Sequence, residues 1–175
     1  MPDAQVDLAA RIRAIPDFPK PGILFRDIMP LLQDPHTLRA AVDRMAEWST
    51  GRHVDVVLGA ESRGFILGSA LAYALGAGFV CARKPGKLPF DTVSESYELE
   101  YGTDALEVHA DAIAPGTNVL IHDDLLATGG TAAAKVRLAQ KMGGKVVGAT
   151  FLIELADLHG RDKLSGVDVF TLITY

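Results

Sequence analysis

Apolar and polar positions along this chain recur with two periods, and the switches between them divide it into strands and helices. Residues 3–15 put Val6, Leu8, Ala9, Ile12 and Ile15 at near-helical spacing, which predicts a short amphipathic helix. In the next stretch, PDFPKPGILFRDI, Pro16, Pro19, Pro21 and Gly22 exclude regular helix. Its Phe18, Ile23, Leu24 and Phe25 predict an irregular segment pinned to the body. Asp34 and Pro35 read as the N-cap and first position of an amphipathic helix that buries Leu38, Val42, Met45 and Trp48 and stops at Gly51. A strand over 54–58, a helix over 65–75 closed by Gly76 and a strand over 79–82 then form a βαβ unit.

Residues 83–96, RKPGKLPFDTVSES, show no period and predict a mobile loop. Two short strands over 97–100 and 105–109 follow, around Tyr101 and Gly102. Pro115 and Gly116 turn the chain into an apolar strand from 119, followed by a helix over 132–142 that Gly143 and Gly144 end. A strand over 146–153, a helical turn over 157–164 and a strand over 167–174 complete the pattern. Strands alternating with helices predict an α/β fold, an open, mainly parallel sheet covered on both faces. The 175 residues fit one domain.

Composition narrows the partners. A net charge of -5 gives no general attraction to nucleic acid or to an anionic membrane, so a polyanion would need positive charge concentrated locally. Cys81 is the only cysteine, which excludes an intrachain disulfide. No apolar run approaches the ~18 residues of a membrane span, and the first residues lack an apolar core of signal-peptide length. A cytoplasmic protein is expected.

The candidate chemistry centres on residues 119–131, VLIHDDLLATGGT. An apolar strand runs into two carboxylates, Asp123 and Asp124, and then into a Thr-Gly-Gly-Thr turn at a helix start. Free N–H groups there attract an anion, glycines allow close approach and the threonines add hydroxyl donors, so Ala127, Thr128, Gly129, Gly130 and Thr131 suit a phosphate. The carboxylates would repel that anion unless they face vicinal hydroxyls or a divalent cation. The plainer alternative is a turn whose glycines only permit tight packing. In open parallel sheets ligands sit beyond the carboxyl ends of strands, and four loops meet that rule: 61–64, 83–87, 123–131 and 154–155.

The run DDLLATGGT resembles the phosphoribosyl pyrophosphate motif of the type I phosphoribosyltransferases, most closely in their adenine-using members. GAESRGF, YELEYG and PGILFRD resemble that family's pyrophosphate loop, hood and base cap, so the likeness spans residues 17–164. The resemblance implies the type I fold, with a base-capping N-terminal segment in 1–33 and a mobile hood in 83–103. It implies transfer of a phosphoribosyl group to adenine with Mg²⁺, giving AMP and pyrophosphate, in a homodimer. Asp123 and Asp124 would hold the ribose hydroxyls. Glu61, Ser62, Arg63, Arg83, Lys84 and Lys87 would hold pyrophosphate, with a cis peptide before Ser62 and Arg83 reaching toward the partner's site. Glu100 would move the purine proton, with Arg63 and Tyr101 as further catalytic residues. Leu24, Phe25, Arg26 and Leu155 would enclose adenine. Mg²⁺ would bind through the pyrophosphate, with Asp123 and Asp124 as further candidate ligands.

Each assignment has a plainer competitor: a solvated basic loop for 83–87, an exposed acidic edge for Glu98 and Glu100, core packing for Phe25 and Leu155. His109, His122 and Cys81 read as structural. Transfer to another purine, or a non-catalytic phosphoribosyl pyrophosphate sensor regulating transcription, are the competing functions; the sensor would need a DNA-binding appendage that this sequence does not show.

Overall fold

The structure, a computed structural model, describes residues 6–98 and 102–175. Its first elements depart from the pattern-based expectation. Of the helix expected over 3–15, residues 3–5 lie outside the described residues, and over 6–15 a single 3-10 turn, Ala9–Arg11, precedes β1 (Arg13–Pro16), which pairs antiparallel with β2 (Leu24–Asp27). Part of the segment expected to be irregular is therefore a strand. Asp17 at φ 56° and Gly22 at φ 87° fold the intervening chain back, and the Asp17 carboxylate accepts the Gly22 N–H at 2.8 Å. That turn sets Ile15 opposite Phe25, and cross-strand pairing overrides a weak helical period.

After α1 (Met29–Gln33) comes α2 (Pro35–Ser49), where Asp34 Oδ1 accepts the N–H groups of His36 at 2.8 Å and Thr37 at 3.4 Å. This is the cap that Asp34-Pro35 predicted. The unit β3 (Val56–Ala60), α3 (Arg63–Leu75) and β4 (Gly78–Ala82) follows, and α3 ends at Gly76 in the left-handed region.

The hood is a hairpin of β5 (Thr92–Glu98) and β6 (Thr103–His109). Residues 92–96, expected to be loop, thus belong to a strand paired from Thr92↔His109 onward. Its polar, aperiodic sequence is held from outside. Arg137 donates to Glu95 at 2.7 Å and to the Ser96 carbonyl at 3.0 Å, and Lys141 donates to the Ser94 carbonyl.

Strand β7 (Asn118–Leu126), α4 (Gly130–Lys141), β8 (Lys145–Glu154) and β9 (Val169–Thr174) complete the chain. The expected helical turn over 157–164 is two 3-10 turns, Ala156–Leu158 and Gly160–Leu164. Five strands form one sheet in the order β4-β3-β7-β8-β9, and every pairing is parallel. Because side chains alternate along a strand, the sheet buries two cores. Leu58, Val119, Ile121 and Phe151 pack toward α4, while Val57, Leu120 and Leu152 pack toward α2 and α3. Strand order reverses between β3 and β7, opening a crevice where a ligand can lie between their following loops. Among the described residues, no helix is long and apolar enough to cross a membrane.

The α2 cap gives a prediction with a definite sign. The His36 N–H holds the Asp34 carboxyl below its ordinary 3.8. The cap's stabilisation is therefore complete above that unfolded-state value and lost as pH falls through the lower folded-state value. Calorimetry should find a lower Tm for Asp34→Ala at pH 7 and a gap from wild type that narrows in acid.

Candidate active site

Beyond β7 the chain forms the turn that its glycines anticipated. Gly129 takes φ 80° as the N-cap of α4, and no side chain caps the helix. Among the described residues, a cleft of about 370 Å³ at this point is lined by Ala60, Glu61, Ser62 and Arg63 from one side and by 123–132 from the other. The structure thus brings the expected phosphate loop, the acidic pair and the first part of the expected pyrophosphate loop into one space. The Glu61–Ser62 peptide is cis, as the resemblance implied.

The back of the phosphate loop rests on Gly160. A Cβ on Gly160 would lie 2.3 Å from the Ala127 carbonyl oxygen, and one on Gly129 would lie 2.3 Å from the Gly160 carbonyl oxygen. Backbone therefore packs on backbone, and neither position has room for a side chain. The turn carrying Gly160 is anchored by Arg161, which donates to both oxygens of buried Glu154 at 2.7 Å and to the Val169 carbonyl at 3.0 Å. Thr171 donates to the same carboxylate at 3.0 Å. The Arg161 hydrogen bond holds the Glu154 carboxyl below its ordinary value despite burial. Sequence reading noticed Glu154 by its place after β8 but missed Gly160 and Arg161. HGR matches no phosphate motif, and its role comes only from packing.

The two aspartates do not act as one unit. They lie within β7, which runs on to Leu126, and both line the cleft, each beside a different cation. Asp124 is buried and accepts Arg63 Nε at 2.9 Å. Burial, then the neighbouring Asp123, push its carboxyl up to about 7 against the pull of Arg63. Asp123 turns toward α4, where the Nζ of Lys135, a wholly buried side chain, donates to its Oδ2 at 2.7 Å. Sequence reading missed Lys135; the available signal was a lone lysine inside the run TAAAKV. His122 is structural, as expected. It is buried beside Thr150 Oγ1 at 3.1 Å, and burial lowers it to about 4, so it stays neutral.

The remaining expected pyrophosphate cations stand outside the cleft lining, each on a carboxylate. Glu61 accepts the Lys84 N–H at 2.6 Å, Lys87 Nζ at 2.9 Å and Arg83 at 3.3 Å. Burial raises the Glu61 carboxyl, but these donors outweigh it and hold it below its ordinary value. Lys84 Nζ sits 2.5 Å from Asp104 on β6, and the Tyr97 hydroxyl donates to the same oxygen. The cations of 83–87 are thus paired with carboxylates while remaining substantially exposed to solvent.

Of the expected base-binding residues, Phe25 has its ring 5.0 Å from the guanidinium carbon of Arg63, which lines the cleft. Leu24 is 48% exposed, the Arg26 guanidinium stacks over Tyr175 at 3.6 Å, and half-buried Leu155 packs on the core beneath α2 and α3. Glu100 and Tyr101 lie outside the described residues. No group of three metal-ligating side chains gathers among the described residues.

Comparison with known proteins agrees with this geometry. A family model described as a phosphoribosyl transferase domain matches residues 32–174. An adenine phosphoribosyltransferase of Rubrobacter xylanophilus is 60% identical over 94% of this chain and 90% of its own length. One from Thermotoga maritima is 57% identical over 98% of this chain and 99% of its own. The crystal structure of adenine phosphoribosyltransferase from Thermoanaerobacter pseudethanolicus superposes with a TM-score of 0.94 at 50% identity, covering 96% of this chain and 98% of that one.

The Gly160 contact is open to test. Gly160→Ala must displace the Ala127 carbonyl and with it the loop, a steric cost of about 1–3 kcal/mol. Calorimetric titration with ribose 5-phosphate should show binding weakened by roughly 10-fold.

Proposed function

This chain belongs to the phosphoribosyltransferase family, and on that premise we propose that it transfers the phosphoribosyl group of 5-phosphoribosyl 1-pyrophosphate to adenine, giving AMP and pyrophosphate in purine salvage. The observation that carries this reading is the shared cleft, in which the turn after β3 and the loop after β7 face one another. Its two ends match the two ends of the donor. The N–H groups at the start of α4 take the 5′-phosphate. The Glu61–Ser62 turn and Arg63 take the pyrophosphate, and Asp123 and Asp124 meet the ribose hydroxyls between them.

Transfer breaks the bond between the anomeric carbon and pyrophosphate and forms one to the adenine ring nitrogen N9. The N9 proton passes to Glu100, the positive charge developing on the ribosyl centre lies beside the two aspartates, and Arg63 stabilises the charge gathering on pyrophosphate. Phe25 and Leu155 cover the faces of the base, with Leu24 and Arg26 at its edge. Arg83, Lys84 and Lys87 join the leaving group by exchanging their carboxylate partners for phosphate oxygens. By resemblance, Tyr101 would pack or hydrogen-bond near the ribose, and closure of the loop over 83–96 would keep water from the ribosyl centre.

The donor set in the cleft fits Mg²⁺ carried by its substrate. It offers two carboxylates rather than a cage, and this cation is commonly held by one or two carboxylates with substrate phosphates. When bound through pyrophosphate, with Asp123 or Asp124, it neutralises leaving-group charge. A homodimer fits an outer face of α3 that leaves Tyr73 90% and Ile66 45% exposed. A cytoplasmic setting suits the unpaired thiol of Cys81.

Incubation with phosphoribosyl pyrophosphate, Mg²⁺ and each purine separately should yield AMP from adenine and no comparable product from guanine or xanthine. Glu100→Gln should lower kcat by roughly 10²-fold or more while ribose 5-phosphate binding is kept. A smaller loss removes the proton-transfer role. Light scattering should return twice the 18.7 kDa chain mass, and Tyr73→Glu should shift it toward the monomer.

A further inference from the structure

We propose that Lys135 is a positioning residue that aims the Asp123 carboxylate at the ribose hydroxyls, an inference resting on the function proposed above. The side chain is wholly buried, on a helix whose Ala132, Ala133, Ala134 and Val136 are buried too. An ammonium group in such surroundings is costly unless it is paired and hydrogen-bonded. Here Nζ donates to Asp123 Oδ2 at 2.7 Å and to the His122 carbonyl at 2.5 Å. Both acceptors belong to β7, so one cation ties the helix that opens with the phosphate loop to the strand end that carries the acidic pair.

The same carboxylate is fixed from two further sides. Its Oδ1 accepts the Asp124 N–H at 3.0 Å, and it lies 2.6 Å from where a Cβ on Gly64 would stand. A methyl group at Gly64 is excluded, and the carboxylate occupies the space that its absence leaves. Each oxygen has one protein donor and keeps a lone pair, so the group can still accept hydroxyl donors from the cleft that Asp123 lines. Without the ammonium, Oδ2 would face an apolar pocket and the carboxylate would rotate toward solvent. Lys135 itself does not line the cleft, so its effect reaches a ligand only through Asp123.

The test uses Lys135→Met, which keeps the side chain's length and removes its charge. Expected results are a KM for phosphoribosyl pyrophosphate raised roughly 10-fold, a KM for adenine little changed, and ribose 5-phosphate binding weakened to match. The wild-type preference for ribose 5-phosphate over its 2-deoxy or 3-deoxy analogue should shrink, a change that lost stability alone would not cause. The double variant Asp123→Asn with Lys135→Met should bind ribose 5-phosphate no worse than Asp123→Asn alone. If Lys135→Met does not fold, Lys135→Gln, which keeps a donor toward the same oxygens, carries the comparison. Unchanged sugar-phosphate affinity and unchanged hydroxyl preference in the folded variant, or losses that multiply in the double variant, overturn the proposal. Failure of the wild-type protein to bind ribose 5-phosphate at all would instead overturn the function on which the proposal rests.

Discussion

The site depends on how β7 ends. Asp123 and Asp124 adjoin one another near the end of β7 and line the same cleft, where two unpartnered carboxylates would repel an anion. Asp123 meets Lys135 from α4, and Asp124 meets Arg63 from the first residue of α3. Each carboxylate is thus matched by a cation from a different helix. This arrangement lets an acidic pair stand beside an anion cradle without the net negative charge that would repel a phosphate ester.

The cradle is held in place by distant parts of the chain. Gly160 presses against Ala127 and Gly129 from behind, and its turn is fastened to β8 and β9 by the Glu154, Arg161 and Thr171 network. A bidentate Arg–carboxylate pair with one partner buried is stiffer than a surface ion pair, which suits a support that must not yield when an anion arrives.

Electrostatics at the opposite wall follow another rule. Glu61 collects Arg83, Lys87 and the Lys84 amide, and Asp104 collects the Lys84 side chain. These cations are substantially exposed, so solvent screens their pairs and little energy is needed to separate them. The Lys135–Asp123 pair, whose cation is wholly buried, thus differs in kind from these rim pairs: it fixes a geometry, and they can be exchanged.

The sequence alone determined what depends on neighbours along the chain. The cap at Asp34, the stop at Gly76, the apolar β7 and the glycine turn at 128–131 are local rules of capping, steric freedom and period, and all appear where those rules put them. The local pattern also marked Asp123, Asp124, Glu61 and Arg63 as residues of one region. It failed over 6–15 and 92–96, because a β-hairpin is stabilised by a partner strand that local propensity cannot see. Only the tertiary structure decided that the aspartates take cations from different helices, that a buried lysine lies beneath one of them, and that Gly160 backs the turn after β7. Those contacts join residues far apart in the chain or on different elements, and their energies come from packing and charge pairing that exist only once the sheet and its helices have closed around them.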